Sequence, residues 1–179
     1  MPEKAVVTRE GETKAMFRIH IRGSIEAVWR EITRTDAPIP AFFNSRMDVA
    51  RLARGEKLAM RTPNGKYTGV VGEILELVPL RRFAYTFKFT NFDDPPCRVA
   101  IDLAEKDGGV EYTMTISELT PGTKSAKQML QGGVLIANTL KHVIEDGRPS
   151  FGTRMLFTLF KLMEPFSPAR CKSEHWPVS

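Results

Sequence analysis

The sequence lacks long hydrophobic runs, dense blocks of one charge, and most of the residues that build metal or nucleophile sites. No apolar stretch approaches the roughly 20 residues that a helix needs to cross a bilayer. Residues 1–13 are polar and charged with no apolar centre, so no secretory signal is expected there and the expected location is the cytoplasm. Two cysteines occur, Cys97 and Cys171, far apart in the chain. They read as free thiols of a reducing compartment. The three histidines, His20, His142 and His175, form no i,i+4 pair, and no glutamate completes a zinc motif. Neither a metal nor a cofactor is expected. There is no Gly-x-Ser-x-Gly elbow, and neither cysteine has a nucleophile's local signature. Gly69-Val70-Val71-Gly72 lies inside a strand pattern and not at a strand-to-helix turn, which excludes a phosphate loop. The formal net charge is +5, but the basic residues are scattered, so no nucleic-acid partner is expected.

What is present suits one globular domain. Hydrophobic residues make up 42% of the 179 and charged residues 26%, enough for a core. Phe17, Ile19 and Ile21 alternate with Arg18, His20 and Arg22, the period of a half-buried strand. Ser24 is placed to cap a helix carrying Ile25, Val28, Trp29 and Ile32 on one face, and Asp36-Ala37-Pro38-Ile39-Pro40 ends it. Residues 45–118 are strand and turn throughout, with strands expected over 46–52, 57–61, 66–77, 82–90, 98–105 and 110–119. Asn64-Gly65 and Asp107-Gly108-Gly109 are hairpin signals, and the short links predict an antiparallel meander. Phe83, Tyr85, Phe87 and Phe89 share one face, as do Val99, Ile101 and Leu103, and Val110, Tyr112, Met114 and Ile116. That apolar face requires a cover. Residues 123–146 supply one, as a long helix with Ala126, Met129, Gly133, Ala137, Leu140 and Ile144 on one stripe and Gly147 to close it. Residues 151–166 form a further apolar helix, stopped by Pro165 and Pro168, and an extended tail with Trp176 follows.

The order of strand, helix, proline-rich break, meander and long helix resembles the START-like, or SRPBCC, superfamily. Within it, the chain is similar to the family named after the C-terminal domain of the Hsp90 ATPase activator. Ser24-Ile25-Glu26-Ala27-Val28-Trp29 carries the resemblance at the first helix. The run from Gly69 through Val78-Pro79-Leu80 to Tyr85 carries it in the sheet, and Gln131-Gly132-Gly133 to Leu140 in the last helix. The match covers about residues 14–146. It departs from the family pattern where a Gly-Trp pair and a Leu four residues later are replaced by Gly133 and Ala137. The tail Ser173-Glu174-His175-Trp176-Pro177 resembles the ending of some relatives.

The resemblance implies an α+β helix-grip fold, a curved antiparallel seven-stranded sheet wrapped on a long C-terminal helix. The first strand should pair with the last. Residues 1–13 are then a polar arm, 14–147 the domain, and 148–179 a C-terminal extension. Superfamily members include lipid carriers, aromatic polyketide cyclases, stress-associated binding proteins and chaperone cofactors, so the fold alone does not select a function. The expected site is a cavity between sheet and helix for a hydrophobic or lipid-like small molecule. Phe17, Ile19, Phe83, Tyr85, Phe87, Tyr112, Met114, Met129, Gly133 and Ala137 should line it, with Tyr85 and Tyr112 as polar handles. The small residues at 133 and 137 predict an enlarged cavity there, or a gap filled by Phe157, Phe160 or Trp176 of the extension. The alternatives are a cyclase- or hydrolase-like enzyme using the same pocket, and a protein-binding, chaperone-cofactor-like module. Glu73 is the candidate acid or base. It and Glu76 are three residues apart on one strand, which puts them on opposite faces, and Glu73 shares parity with Val71, Leu75 and Leu77. The apolar face of helix 151–166 should be buried on its own domain or on a twin subunit in a homodimer, in preference to a membrane surface.

Overall fold

The computed structural model describes residues 3–179. Its sheet is antiparallel, built from β1 (Val6–Glu10), β2 (Lys14–Ile21), β3 (Arg46–Val49), β4 (Lys57–Arg61), β5 (Thr68–Val78), β6 (Arg82–Phe89), β7 (Cys97–Lys106) and β8 (Gly109–Ser117). The spatial order is β1-β2-β8-β7-β6-β5-β4-β3. The expected pairing of first and last domain strands is present, with Phe17 opposite Met114 and Ile19 opposite Tyr112. Three helices accompany the sheet: α1 (Ile25–Thr33), α2 (Lys124–Asp146) and α3 (Phe151–Met163).

The sheet has eight strands where seven were expected. The additional one, β1, lies in the arm at 1–13 and pairs with β2 through a turn at Gly11, which has φ +64°. Both faces of this edge strand are exposed, so it has no apolar alternation by which a strand is read from sequence.

Local chemistry explains the other boundaries. The Ser24 hydroxyl accepts from the Ala27 N–H at 3.1 Å and starts α1. The Thr123 hydroxyl accepts from the Ala126 N–H at 3.1 Å and starts α2, and Gly147 at φ +73° ends it. Asp107 and Gly108 both have positive φ and join β7 to β8 as a two-residue hairpin. Asn64-Gly65 behaves differently. Only Gly65 has positive φ, and its N–H donates to the Thr62 carbonyl at 2.7 Å. Pro63 sits second and Gly65 fourth in that four-residue turn, positions both residues favour in a common β-turn.

The helix α2 crosses the inner face of the sheet, resting chiefly on β2 and against a 3-10 turn at Pro40–Phe42. Between α2 and the sheet lies one apolar cluster that includes Phe17, Ile19, Phe83, Tyr85, Ile101, Tyr112, Met114, Met129 and Leu140. Burial of each large apolar side chain there contributes about 1.5–3 kcal/mol.

Candidate functional site

The residues expected to line the interior do share it. Phe17, Ile19, Phe83, Tyr85, Tyr112, Met114, Met129 and Ala137 are all buried in the cluster between sheet and helix, and Gly133 is buried on the same face of α2. Phe87 is only half-buried and packs at the cluster's edge, with its ring centroid 4.8 Å from that of Phe89 in an edge-to-face arrangement. Phe83 and Tyr85 are adjacent on the inner face, with centroids 4.9 Å apart.

The enlarged cavity expected beside Gly133 is not formed. A Cβ at Gly133 would fall inside the van der Waals envelope of the Phe17 ring, which reaches across from β2. The volume missing from the helix is therefore supplied by the opposing strand. Two of the three candidate fillers from the extension lie elsewhere. Phe160 lies beside Phe43, with ring centroids 6.3 Å apart, and the Trp176 indole N–H donates to the Arg170 carbonyl at 2.7 Å.

Glu73 is not in the interior. It is exposed, on the outer face of β5. The β5–β6 register shifts between Ile74 and Glu76, and Leu75 is the extra residue of that bulge. The shift cancels the odd spacing, so Glu73 and Glu76 both face outward while Ile74 and Leu77 face in. Gly72 tolerates the close approach of β6 at this point, since a Cβ there would collide with the Thr86 carbonyl. The Glu73 N–H donates to the Thr86 hydroxyl at 2.9 Å, a side chain taking the place of a ladder carbonyl. An open groove of about 580 Å³ runs along this outer face past Glu73, Glu76, Arg82, Ala84, Arg98 and Ala100. It lies on the side of the sheet away from α2, and three of its charges are paired: Arg82 with Glu76 and with Asp102, and Arg98 with Glu118.

The interior holds polar groups without partners. The Tyr112 hydroxyl is buried and makes no hydrogen bond among the described residues. Burial, and then the neighbouring Tyr85, push its phenol well above the usual tyrosine range, and Tyr85 is raised mainly by burial. The Thr139 hydroxyl on α2 and Glu31 Oε1 on α1 are likewise buried and unpartnered. Burial raises the Glu31 carboxyl in spite of the Arg34 guanidinium 3.6 Å away. Glu31 was not singled out from sequence. Its only signal is its position three residues after Val28, beside the apolar stripe of α1. Cys97 is buried on β7, and burial pushes its thiol up to about 12.

A second polar cluster fixes α2 on β2. The Glu145 carboxylate accepts from the Arg22 N–H and from Lys141 Nζ, each at 2.8 Å, and Lys141 Nζ also donates to the His20 carbonyl. Among the described residues no group of three or more His, Cys, Asp or Glu is placed to hold a metal ion.

The extension folds back on its own domain. After α3 it continues through 3-10 turns at Glu164–Phe166, Ala169–Cys171 and Ser173–His175 instead of running extended. The Ser173 N–H donates to the Lys66 carbonyl, Arg61 donates to the Trp176 carbonyl at 3.0 Å, and the Thr90 hydroxyl donates to the buried Cys171 Sγ at 3.3 Å. Arg170 binds both carboxylate oxygens of Asp93. In contrast, α3 itself leaves a whole apolar face uncovered, so the burial expected for it on its own domain is absent. Phe151, Met155, Leu159, Leu162 and Met163 are each exposed by more than half.

A curved antiparallel sheet gripping a long C-terminal helix defines the helix-grip class of α+β proteins. The family model described as "Activator of Hsp90 ATPase homolog 1-like protein" matches residues 22–145, and the chain belongs to that family. Solved structures share the fold at low identity. Protein MLL2253 from Mesorhizobium loti is 17% identical over 74% of this chain and 97% of its own, with a TM-score of 0.62. CalU16 from Micromonospora echinospora is 17% identical over 87% of this chain and 91% of its own, also at 0.62. The Aha1 dimer from Colwellia psychrerythraea is 16% identical over 75% and 97%, at 0.59. Among curated proteins none matches the sequence.

Proposed function

We propose that the chain binds a hydrophobic small molecule between the sheet and α2, with Tyr112 as the polar contact. The observation that carries this reading is the Tyr112 hydroxyl, fully buried in an apolar core with no hydrogen-bond partner among the described residues. An unsatisfied buried polar group costs about 1–3 kcal/mol, and phenylalanine would fill the same volume without that cost. A ligand acceptor would remove the penalty. Met114 and Met129 border the same core, and their flexible side chains can repack around a guest. Binding then opens a core that is closed in its absence, with the half-buried aromatic edge at Phe87 and Phe89 as the way in.

This reading is favoured over an enzyme that uses Glu73. That carboxylate is exposed on the outer face, and buried phenols raised above their usual range remain protonated and act as donors.

The test uses Nile red, an uncharged aromatic ketone, titrated into the Met155→Glu/Leu159→Glu protein, so that the exposed face of α3 does not take up dye. Adding Tyr112→Phe should weaken binding at least threefold while the melting temperature stays level or rises. Equal dye affinity with and without the Tyr112 hydroxyl would refute the proposed contact.

A further inference from the structure

The uncovered face of α3 is the strongest unassigned feature of the molecule. Phe151, Met155, Leu159 and Leu162 recur at helical spacing along it, and Phe166 continues it beyond the helix end. Phe151 is 70% exposed and Phe166 78%, values foreign to a core helix. The opposite side is anchored, with Thr153 buried, Leu156 and Phe157 half-buried, and Phe160 beside Phe43. The helix is also held at both ends. The Ser150 hydroxyl accepts from the Thr153 N–H, and Glu164 accepts from Asn64 Nδ2. The apolar row is thus presented on a preformed support.

The charges within the helix itself are of one sign. From residue 147 to residue 163 the ionisable side chains are Arg148, Arg154 and Lys161, with no carboxylate among them. None of the three forms an ion pair among the described residues; Arg154 lies over the Phe151 ring, 5.9 Å from its centroid. Carboxylates adjoin both ends of that span: Asp146 pairs with His142, and Glu164 accepts from Asn64 Nδ2.

We propose that α3 seats the protein on an anionic lipid surface, its apolar row entering the headgroup boundary and Arg148, Arg154 and Lys161 meeting lipid phosphates. An amphipathic helix with aromatic and aliphatic residues on one side and only basic residues, Arg154 and Lys161, among its own ionisable groups has the composition of interfacial helices. A second copy of the chain fits the face less well. A twofold contact places the same patch against itself, so Arg154 and Lys161 of one helix would face the same cations of the other. No helix among the described residues is long and apolar enough to cross a membrane, so the contact is one of lying on the surface.

The experiment is co-sedimentation of the full chain with phosphatidylcholine vesicles, with and without phosphatidylglycerol. The chain should sediment with the mixed vesicles and at least tenfold less with phosphatidylcholine alone. Met155→Glu/Leu159→Glu should abolish sedimentation, and Arg154→Glu/Lys161→Glu should reduce it at least fivefold, both with an unchanged circular dichroism spectrum. No binding to the mixed vesicles, or binding that both variants leave intact, overturns the proposal. Equal binding to both vesicle types overturns the role of the cations. A vesicle-free dimer in sedimentation velocity that Met155→Glu/Leu159→Glu dissociates assigns the face to a second copy and overturns it as well.

Discussion

Gly133 carries no side chain where the Phe17 ring, on β2, occupies the position its Cβ would take. Helix propensity alone favours alanine at such a site by about 1 kcal/mol. We expect Gly133→Ala to lose about 1–3 kcal/mol nonetheless, because Phe17 is fully buried and its ring has no free space into which to retreat. In urea unfolding, the loss should shrink when Phe17 is first shortened to leucine, and a double-mutant cycle should give a coupling between the two sites. Additive effects would show that the contact is not the cause. Alternation along β2 marks Phe17 as inward and helical spacing marks Gly133 as inward, and both placements hold. That the two residues meet is not written in either pattern, since it depends on how far α2 slides along β2. Glu73 shows the same limit. Parity is a reliable guide along a regular strand, but the one extra residue of a bulge reverses it, and nothing in Glu73-Ile74-Leu75-Glu76 announces the bulge.

Among the elements, α2 and β2 are joined by a carboxylate whose titration can be followed. Burial would raise Glu145, but hydrogen bonds from the Arg22 N–H, from Lys141 and from the Arg22 guanidinium outweigh it and bring the group down to about 2. Its folded value lies below the usual 4.5, so its contribution is complete above pH 4.5 and is lost as the pH falls toward 2. Glu31 has the opposite sign. Its carboxyl is raised by burial, so the stability linked to its proton is present at low pH and is lost as the pH rises through its folded value. Melting temperatures measured from pH 7 down to pH 3 should therefore separate two variants. Glu145→Gln should be less stable at pH 7 and flatter through the acid range. Glu31→Gln should be more stable at pH 7 and fall more steeply. Parallel curves for both would mean that neither group is coupled to folding as described. The helices and seven of the eight strands were legible from their apolar patterns and from the capping or turn residues at their ends. The exposed strand β1 has no such face, and it is held by backbone pairing to β2 and by the Lys14–Glu10 ion pair, which apolar periodicity does not reveal. The helix α3 was legible as a helix, but its apolar row does not specify what covers it.

For the whole molecule, the order of elements specified the grip of sheet on helix, and family membership agrees with it over residues 22–145. The extension was less legible. Its 3-10 turns depend on distant partners, Asp93 for Arg170 and Lys66 for Ser173, which local pattern does not contain. The molecule presents an uncovered apolar helix face outside and a closed apolar core inside, where the Tyr112 phenol, one of two with Tyr85, has no acceptor among the described residues. The binding claim rests on that phenol. Its most direct test is native mass spectrometry of the chain as purified, beside the Tyr112→Phe variant prepared in the same way. The account predicts that part of the unmodified chain carries an added noncovalent mass of small-molecule size, and that the variant carries much less of it. The bare chain mass in both proteins, with no uptake of Nile red by either, would contradict it.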